Sequence, residues 1–316
     1  METKLSLLLL PFISLVSCSS KTEISRKSFY FDTYTEIRLY EGKEENAKEI
    51  EKIFSKIDQL TDNYNDRGVN NIYKVNNTNE SLAIDSELYE LLTLSFSHSL
   101  DSLEYFNPLC GSLSKKWKEA LNNKQVLSET LINEELSKMS ETSVALINEN
   151  MVNRIGTAEV DLGAVAKGYA LDKAKDYLKN HNINKYLIDA GSSSILLGEK
   201  DGGKNFKIKV SNLANSYLEL KNCFISTSSL SRQAVEIDGT KYSHIINPKN
   251  GSAINLHEAA IVISDTGYLG DILSTDFVNE SIDSIKELEA QFSVKTIVID
   301  NGQISYKSDG LEVFKQ

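Results

Sequence analysis

Apolar residues recur at intervals of three and four in two stretches of the chain, the spacing that places them on one face of an α-helix. The first stretch covers residues 47–60, within an otherwise charged segment, and the second covers residues 88–103. Asn107-Pro108 is expected to stop the second helix, because a residue before proline is disfavoured in helices. Further helical segments are predicted near residues 128–139, 163–180 and 270–291.

Alternating or β-branched apolar residues, bounded by turn-forming residues, predict strands between these helices. The first strand is expected over residues 29–40, whereas residues 62–77, rich in Asn, Asp and Gly, are expected to form a loop. Asp238-Gly239 and Asp300–Gly302 are typical of hairpin turns. The other predicted strands cover residues 185–190, 195–198, 206–210, 217–226, 232–237, 259–264, 296–299 and 303–307. Because no Pro-, Gly- or Ser-rich linker divides these elements, we expect a single α+β body.

The composition fits a large folded body and excludes several classes of protein. The chain has 316 residues, of which 41% are hydrophobic, and a formal net charge of −11. This apolar content excludes a collagen-like, coiled-coil or fully disordered chain. The acidic balance argues against a nucleic-acid partner, since phosphate backbones are bound by clustered Lys and Arg.

The N-terminus resembles the signal peptide of a bacterial lipoprotein. Residues 5–16 form a mostly apolar run, too short to span the ~30 Å hydrocarbon core as a helix. Leu15-Val-Ser-Cys18 then resembles a lipobox, which implies cleavage before Cys18 and diacylation of its thiol. An ordinary signal peptide with an incidental cysteine is the alternative. The expected organisation is a signal peptide over 1–17, a lipidated tether over 18–28 and a catalytic domain over 29–316.

A lipid on Cys18 predicts a location on the bacterial cell membrane, with the body facing the periplasmic or extracytoplasmic side. Two other cysteines, Cys110 and Cys223, remain in that compartment. Their separation in the sequence does not decide whether they pair.

Residues 161–170 predict the passage from a strand end through Gly163 into a helix. The free backbone N–H groups at a helix start favour anionic ligands, and Lys167 adds a positive charge suited to phosphate. Ordinary capping by Asp161 explains the same segment, and on this segment alone it is the favoured interpretation.

His244 is one of four histidines in the chain, and it lies just before the turn at Asn247-Pro248. This position could hold the imidazole at the edge of a cleft, where it would act as a general base. A histidine satisfied by its structural neighbours is the more frequent case for such an isolated residue.

Asp271 and Thr275 are separated by four residues, so on a helix they share one face. A carboxylate, a hydroxyl and a backbone carbonyl form a hard oxygen set that suits Mg²⁺. Helix capping by Asp271 is the alternative. Aromatic residues that could stack on a planar ring, or simply pack in the core, are Phe31, Tyr64, Tyr73 and Phe106.

Together and in this order, these segments resemble the ApbE family of FAD:protein FMN transferases. The resemblance covers nearly all of the chain from about residue 29 onward. It implies a single ApbE-type, T-fold-like α+β body with mixed or antiparallel sheets and packed helices. The segments that carry it are 161–170, 226–228, 242–248 and 271–275, with weaker similarity at Asp32-Thr33, Asn63-Tyr64 and residues 106–117.

The resemblance also implies Mg²⁺ as a cofactor and FAD as the substrate. The implied metal ligands are the carbonyl of Ala164 and the side chains of Asp271 and Thr275, with Ser274 adjacent. His244 matches the family's base. The implied FAD contacts are Phe31, Tyr64, a turn formed by Gly111, Ser112 and Leu113, and Asp161, Lys167 and Ile245.

The implied reaction attaches FMN to a Thr or Ser of an acceptor protein and releases AMP. The acceptor would be a membrane redox-complex subunit or another extracytoplasmic flavoprotein. A Mg²⁺-dependent FAD pyrophosphatase is one alternative, although Tyr64 resembles the transferase members. A non-catalytic flavin-binding lipoprotein is the other, and it would need neither Asp271 nor His244.

Some residues depart from the family pattern without removing an implied metal ligand or base. They affect the expected flavin contacts and the choice of acceptor. The departures are Phe31, Asn107, Asn247, Ser274, residues 192–194 and residues 228–232, where Arg232 alone is kept.

Overall fold

The computed structural model describes residues 23–97, 100–148, 150–230 and 234–315. The helices there are α1 (Glu44–Thr61), α2 (Ile72–Asn76), α3 (Ser86–Ser95), α4 (Gly111–Asn122), α5 (Glu129–Glu141), α6 (Ala166–Asn180), α7 (Gly267–Phe277) and α8 (Ile282–Phe292). The strands are β1 (Ile24–Tyr30), β2 (Thr33–Leu39), β3 (Leu82–Ala83), β4 (Ser143–Ile147), β5 (Met151–Ile155), β6 (Tyr186–Ala190), β7 (Ser194–Leu197), β8 (Phe206–Lys209), β9 (Ser216–Leu220), β10 (Cys223–Ser229), β11 (Val235–Ile237), β12 (Thr240–Tyr242), β13 (Ala259–Ser264), β14 (Lys295–Asp300), β15 (Gln303–Lys307) and β16 (Phe314–Lys315). In these ranges no helix is both long and apolar enough to cross a membrane.

Eight strands form the main sheet in the order β1-β2-β6-β7-β10-β13-β14-β15, and each neighbouring pair is antiparallel. Smaller sheets are formed by β8, β9 and β16, by β3, β4 and β5, and by the hairpin β11-β12. The predicted α+β body with antiparallel sheets and packed helices is confirmed.

Side chains of the main sheet alternate between two hydrophobic cores, because successive residues of a strand point to opposite faces. In β13, Ala260 and Val262 pack in the core that includes residues of α1, α3, α6, α7 and α8. Ala259 and Ile261 pack in a second core, with residues of β8 and β9. We call these two sides of the main sheet the helix face and the small-sheet face.

The N-terminal part differs from the prediction. The strand expected over residues 29–40 is a hairpin, β1 and β2, whose turn residues Phe31 and Asp32 have positive φ angles of 54° and 55°. Because β1 begins at Ile24, the prediction of a tether continuing to residue 28 is wrong from Ile24 onward. The predicted signal peptide, Cys18 and Arg232 lie outside the described residues.

Other predicted elements exist with different bounds. The second helix, α3, ends at Ser95 instead of continuing to residue 103. The segment 217–226 is two strands, β9 and β10, separated by a turn in which Asn222 has a φ of 52°. Residues 270–291 divide into α7 and α8, and the predicted loop over 62–77 contains α2.

Both cysteines of the described ranges carry free thiols. Burial raises the pKa of Cys110 and of Cys223 to about 12. Each thiol therefore stays protonated at neutral pH, and a protonated thiol is a poor nucleophile and a poor metal ligand.

Candidate functional site

Helices α6 and α7 cross in unusually close contact at two glycines. A Cβ atom on Gly168 would lie 2.1 Å from the carbonyl oxygen of Gly267, which no larger residue could accommodate without a shift. The carboxylate of Asp172 fixes the same crossing by accepting hydrogen bonds from the N–H groups of Gly267 and Tyr268 at the start of α7. The crossing brings the first turn of α6 against α7.

Asp271, on α7, is buried at this crossing, with 6% of its surface exposed. Its carboxylate accepts hydrogen bonds of 2.7 Å from Gly168 N, Ser194 Oγ and Ser226 Oγ. Burial raises the pKa of the carboxyl group, and the charge of Lys167 together with these hydrogen bonds opposes that rise. Three elements, α6, β7 and β10, therefore hold one carboxylate in a fixed position.

Hydroxyl groups continue the polar cluster along α7. Ser274 Oγ and Thr275 Oγ1 donate to the backbone carbonyl of Asp271, at 3.1 and 3.0 Å. Ser228 Oγ, on β10, lies 3.0 Å from Ser274 Oγ and 3.3 Å from Thr275 Oγ1. The predicted placement of Asp271 and Thr275 on one helix is confirmed, and Ser228 joins them from the sheet.

The oxygen atoms in this cluster fit a small hard cation. A regular helix would pair Gly168 N–H with the carbonyl of Ala164, but this N–H donates to Asp271 instead. No group of three His, Cys, Asp or Glu suited to a metal occurs in the described ranges. The available set is one carboxylate with neutral hydroxyl and carbonyl oxygens, the donor chemistry that Mg²⁺ prefers when waters or phosphates complete its shell.

His244 lies in the loop after β12 and belongs to the same site. Although its side chain is accessible to solvent, the surrounding protein and the charge of Lys167 lower its pKa to about 4. Lys167 therefore acts electrostatically on both His244 and Asp271. Lys167, His244 and Asp271, which are distant in sequence, therefore lie in one site. The imidazole of His244 is neutral at physiological pH.

A buried hydrogen-bond network supports the His244 loop. Ser243 Oγ accepts from Ile245 N at 3.0 Å and donates to Asn255 Oδ1. Asn255 Nδ2 donates to the carbonyl of Ile245 at 3.1 Å and to Asn279 Oδ1 at 3.3 Å. Asn279 follows the C-terminus of α7. Sequence reasoning missed this network, since isolated Ser and Asn residues in loops carry no distinctive pattern.

The implied flavin contacts fall into two groups around α4. Gly111, Ser112 and Leu113 are the first residues of α4 and not the predicted turn. Gly111 N donates to the carbonyl of Glu159 at 2.9 Å, and a Cβ atom on Gly111 would lie 2.7 Å from that oxygen. This close contact places the start of α4 beside the segment that leads to Asp161.

Tyr64 and Phe31 lie near the C-terminal end of α1. The Tyr64 ring is 46% exposed, and the ammonium groups of Lys115 and Lys118 lie 4.7 and 4.8 Å from its centroid. Phe31 donates its backbone N–H to Asp58 on α1, and its ring packs 6.0 Å from the ring of Phe54. Tyr64 thus presents an accessible aromatic surface beside α4, whereas the Phe31 ring is partly used in packing.

These observations define an α+β protein that carries, on the helix face, a site rich in oxygen atoms beside the positive charge of Lys167. The chain belongs to the ApbE family, because the model of that family matches residues 31–298. Curated relatives named FAD:protein FMN transferase include proteins from Klebsiella pneumoniae and Treponema pallidum. Each is 25% identical; the matches cover 71% and 74% of this chain, and 74% and 73% of those proteins.

Solved structures agree with the fold. An ApbE protein from Thermotoga maritima superposes with a TM-score of 0.76 at 21% identity, covering 93% of this chain and 97% of that one. The flavin transferase ApbE from Vibrio cholerae superposes with a TM-score of 0.74 at 19% identity, with the same coverage. The predicted family membership is confirmed.

Proposed function

We propose that this protein is a Mg²⁺-dependent FAD:protein FMN transferase. The observation that carries the proposal is the position of Lys167, whose charge opposes the rise that burial causes in the pKa of Asp271 and adds to the lowering of the pKa of His244. A fixed carboxylate, a cation and a neutral base within one site suit phosphoryl transfer, where catalysis depends on positioning and charge stabilisation. The names of the relatives at 25% identity support the same assignment.

In this proposal, Asp271, Thr275, Ser274 and the carbonyl of Ala164 hold Mg²⁺. The ion, when bound, neutralises charge on the pyrophosphate of FAD. Lys167 adds a positive charge for the phosphoryl oxygens. Tyr64, Phe31, the start of α4, Asp161 and Ile245 contact the rest of FAD.

The reaction joins a Thr or Ser hydroxyl of an acceptor protein to the FMN-side phosphorus of FAD. A new oxygen–phosphorus bond forms, and the bond between that phosphorus and the oxygen of the AMP phosphate breaks. His244 takes the hydroxyl proton, and AMP leaves with the electron pair of the broken bond. The low pKa of His244 keeps the imidazole unprotonated and able to accept a proton.

We also propose that Cys18 is lipidated and that the enzyme acts on the extracytoplasmic side of the membrane. The apolar run before Leu15-Val-Ser-Cys18 supports this part of the proposal. The acceptor would then be an extracytoplasmic flavoprotein or a subunit of a membrane redox complex.

The test incubates the purified protein with FAD, MgCl₂ and a redox-complex subunit that carries FMN on a known Thr. The expected result is AMP release with flavin fluorescence on the acceptor after denaturing electrophoresis, abolished by EDTA. The matched control is the same acceptor with that Thr replaced by Ala. Free FMN with an unlabelled acceptor would contradict the proposal and indicate a pyrophosphatase, and unchanged FAD would indicate a flavin-binding protein.

A further inference from the structure

The three-stranded sheet formed by β8, β9 and β16 carries a basic and aromatic surface on its outer side. In β8, Phe206 and Ile208 pack in the core of the small-sheet face, so Lys207 and Lys209 point to the other side. The neighbouring strand β9 adds Tyr217, which is paired with Lys209, and Glu219, whose carboxylate lies 3.6 Å from the Lys207 ammonium. Together with Phe314 and Lys315 of β16, these residues form a surface that we call the lysine face.

The lysine face is concave and ordered by aromatic contacts. Lys207, Lys209, Ser216, Tyr217 and Lys315 line a cleft of about 350 Å³. The Tyr217 ring stacks on Phe314 with a centroid distance of 5.4 Å, and the Lys207 ammonium lies 4.6 Å from the Tyr217 centroid. Lysines beside a tyrosine, which has an apolar ring and a polar hydroxyl, suit a surface that rests on lipid headgroups.

The charge of this region is opposite to that of the whole protein. Residues 200–221 contain five Lys (200, 204, 207, 209 and 221) against two acidic residues (201 and 219). The complete chain has a net charge of −11. A local basic surface on an acidic protein can attract an anionic membrane only when that surface faces it, so it selects one orientation.

The first described residues of the chain lie near β8, the strand that carries Lys207 and Lys209 on its other side. Ile24 pairs with Leu39, and the charge of Glu23 acts on the next residue, Tyr40. The Tyr40 ring lies 6.0 Å from that of Phe206, the first residue of β8. Cys18 precedes Glu23 by five residues, which reach at most about 18 Å when fully extended. A lipid on Cys18 would therefore hold this side of the protein close to the bilayer.

We propose that the lysine face docks on anionic phospholipid headgroups and orients the anchored protein. The proposal rests on the lipid anchor at Cys18 and is independent of the transferase chemistry. The main sheet separates the lysine face from α6 and α7, so docking turns the site around Asp271 away from the membrane. An acceptor must then present its hydroxyl from its extracytoplasmic part.

The test measures lysine acetylation in the full-length lipidated protein, purified from membranes. The protein is placed in detergent, in phosphatidylcholine vesicles, and in vesicles that also contain phosphatidylglycerol. Each sample receives a short pulse of acetic anhydride, and the acetylated lysines are identified by mass spectrometry. Labelling of Lys207 and Lys209 is expected to fall about fivefold in the anionic vesicles only. Lys52 and Lys286, on the helix face, provide the control, since their side chains are 72% and 53% exposed.

A matched pair of charge-reversal variants sharpens the test. The K207E/K209E protein should lose the protection of Lys315, whereas the K52E/K286E protein should keep it. Transfer activity in detergent, measured in the same samples, reports separately on the proposed function and should not change in either variant. Equal labelling in neutral and anionic vesicles, or failure to float with anionic vesicles, would overturn the proposal. Protection by inorganic phosphate in detergent would also overturn it, by assigning the surface to a free anion.

Discussion

The two faces of the main sheet use polar residues in opposite ways. On the helix face, Asp271 is buried and each of its carboxylate oxygens accepts hydrogen bonds from fixed donors. On the small-sheet face, Lys207 and Lys209 are exposed on the outer side of the sheet formed by β8, β9 and β16, which covers an apolar core. Each buried polar atom needs its own hydrogen-bond partner, whereas exposed charges act together through the electric field that they create. Single substitutions should therefore have large effects on the first face and small effects on the second.

Asp271→Ala is expected to have the largest effect. It leaves Gly168 N, Ser194 Oγ and Ser226 Oγ without their acceptor, at a cost to folding of about 1–3 kcal/mol for each unpaired group. FMN transfer should fall by about 10³-fold or more. Urea unfolding and AMP release measure the two effects. Asp271→Asn keeps one acceptor oxygen, so it should regain stability but not activity; a fully active Asn variant would remove the metal role.

His244→Gln is expected to lower kcat by about 10²–10⁴-fold, because it removes the general base and leaves the fold intact. The wild-type pH profile provides a second readout. Since the pKa of His244 is lowered to about 4, its neutral form persists well below pH 6.5, so kcat/KM should stay level as the pH falls from 7 to about 5. A loss of activity centred on pH 6.5 would contradict this role.

Gly168→Ala is expected to destabilise the protein by about 1–3 kcal/mol, because its Cβ would force α6 away from Gly267. Thermal unfolding measures the effect. Gly163→Ala is the control, since its Cβ would approach only the Asp161 side chain, at 3.1 Å. Similar unfolding temperatures for the two variants would contradict the importance of the crossing.

Ser243→Ala is expected to have a smaller, selective effect. It removes the hydroxyl that links Ile245 N to Asn255, so the His244 loop loses its fixed position. A loss of one hydrogen bond, about 0.5–1.5 kcal/mol, corresponds to about a 2- to 13-fold decrease in kcat, with KM for FAD nearly unchanged. Ser243→Thr retains the hydroxyl and should restore most of the rate. An equal loss in both variants would indicate a packing effect.

Lys207→Ala combined with Lys209→Ala is expected to have the smallest effect. Both side chains are exposed, so the unfolding temperature and the transfer rate in detergent should match those of the wild-type protein. A marked loss of stability would show that these lysines support the fold, and the contrast between the two faces would then fail.

Local patterns predicted much of the fold but little of the site's assembly. The spacing of Asp271 and Thr275 placed them on one helix, because an i,i+4 relation depends only on local structure. The turn at Phe31-Asp32 was missed, since neither residue is glycine although both have positive φ. Helix α4 was missed within a segment that reads as polar overall. The partners Ser194 and Ser226 depend on strand pairing between distant segments, which no local pattern encodes.

The proximity of Lys167 and His244 is the central claim, and NMR titration of the His244 imidazole tests it most directly. The free protein is titrated as wild type and as Lys167→Met between pH 3.5 and 8, a range that spans the lowered pKa of His244 and the ordinary pKa of histidine. His244→Gln assigns the resonance. We predict a pKa of about 4 in the wild type and a higher value in Lys167→Met, because the neighbouring positive charge is removed. The same ordinary histidine pKa in both proteins would contradict the account.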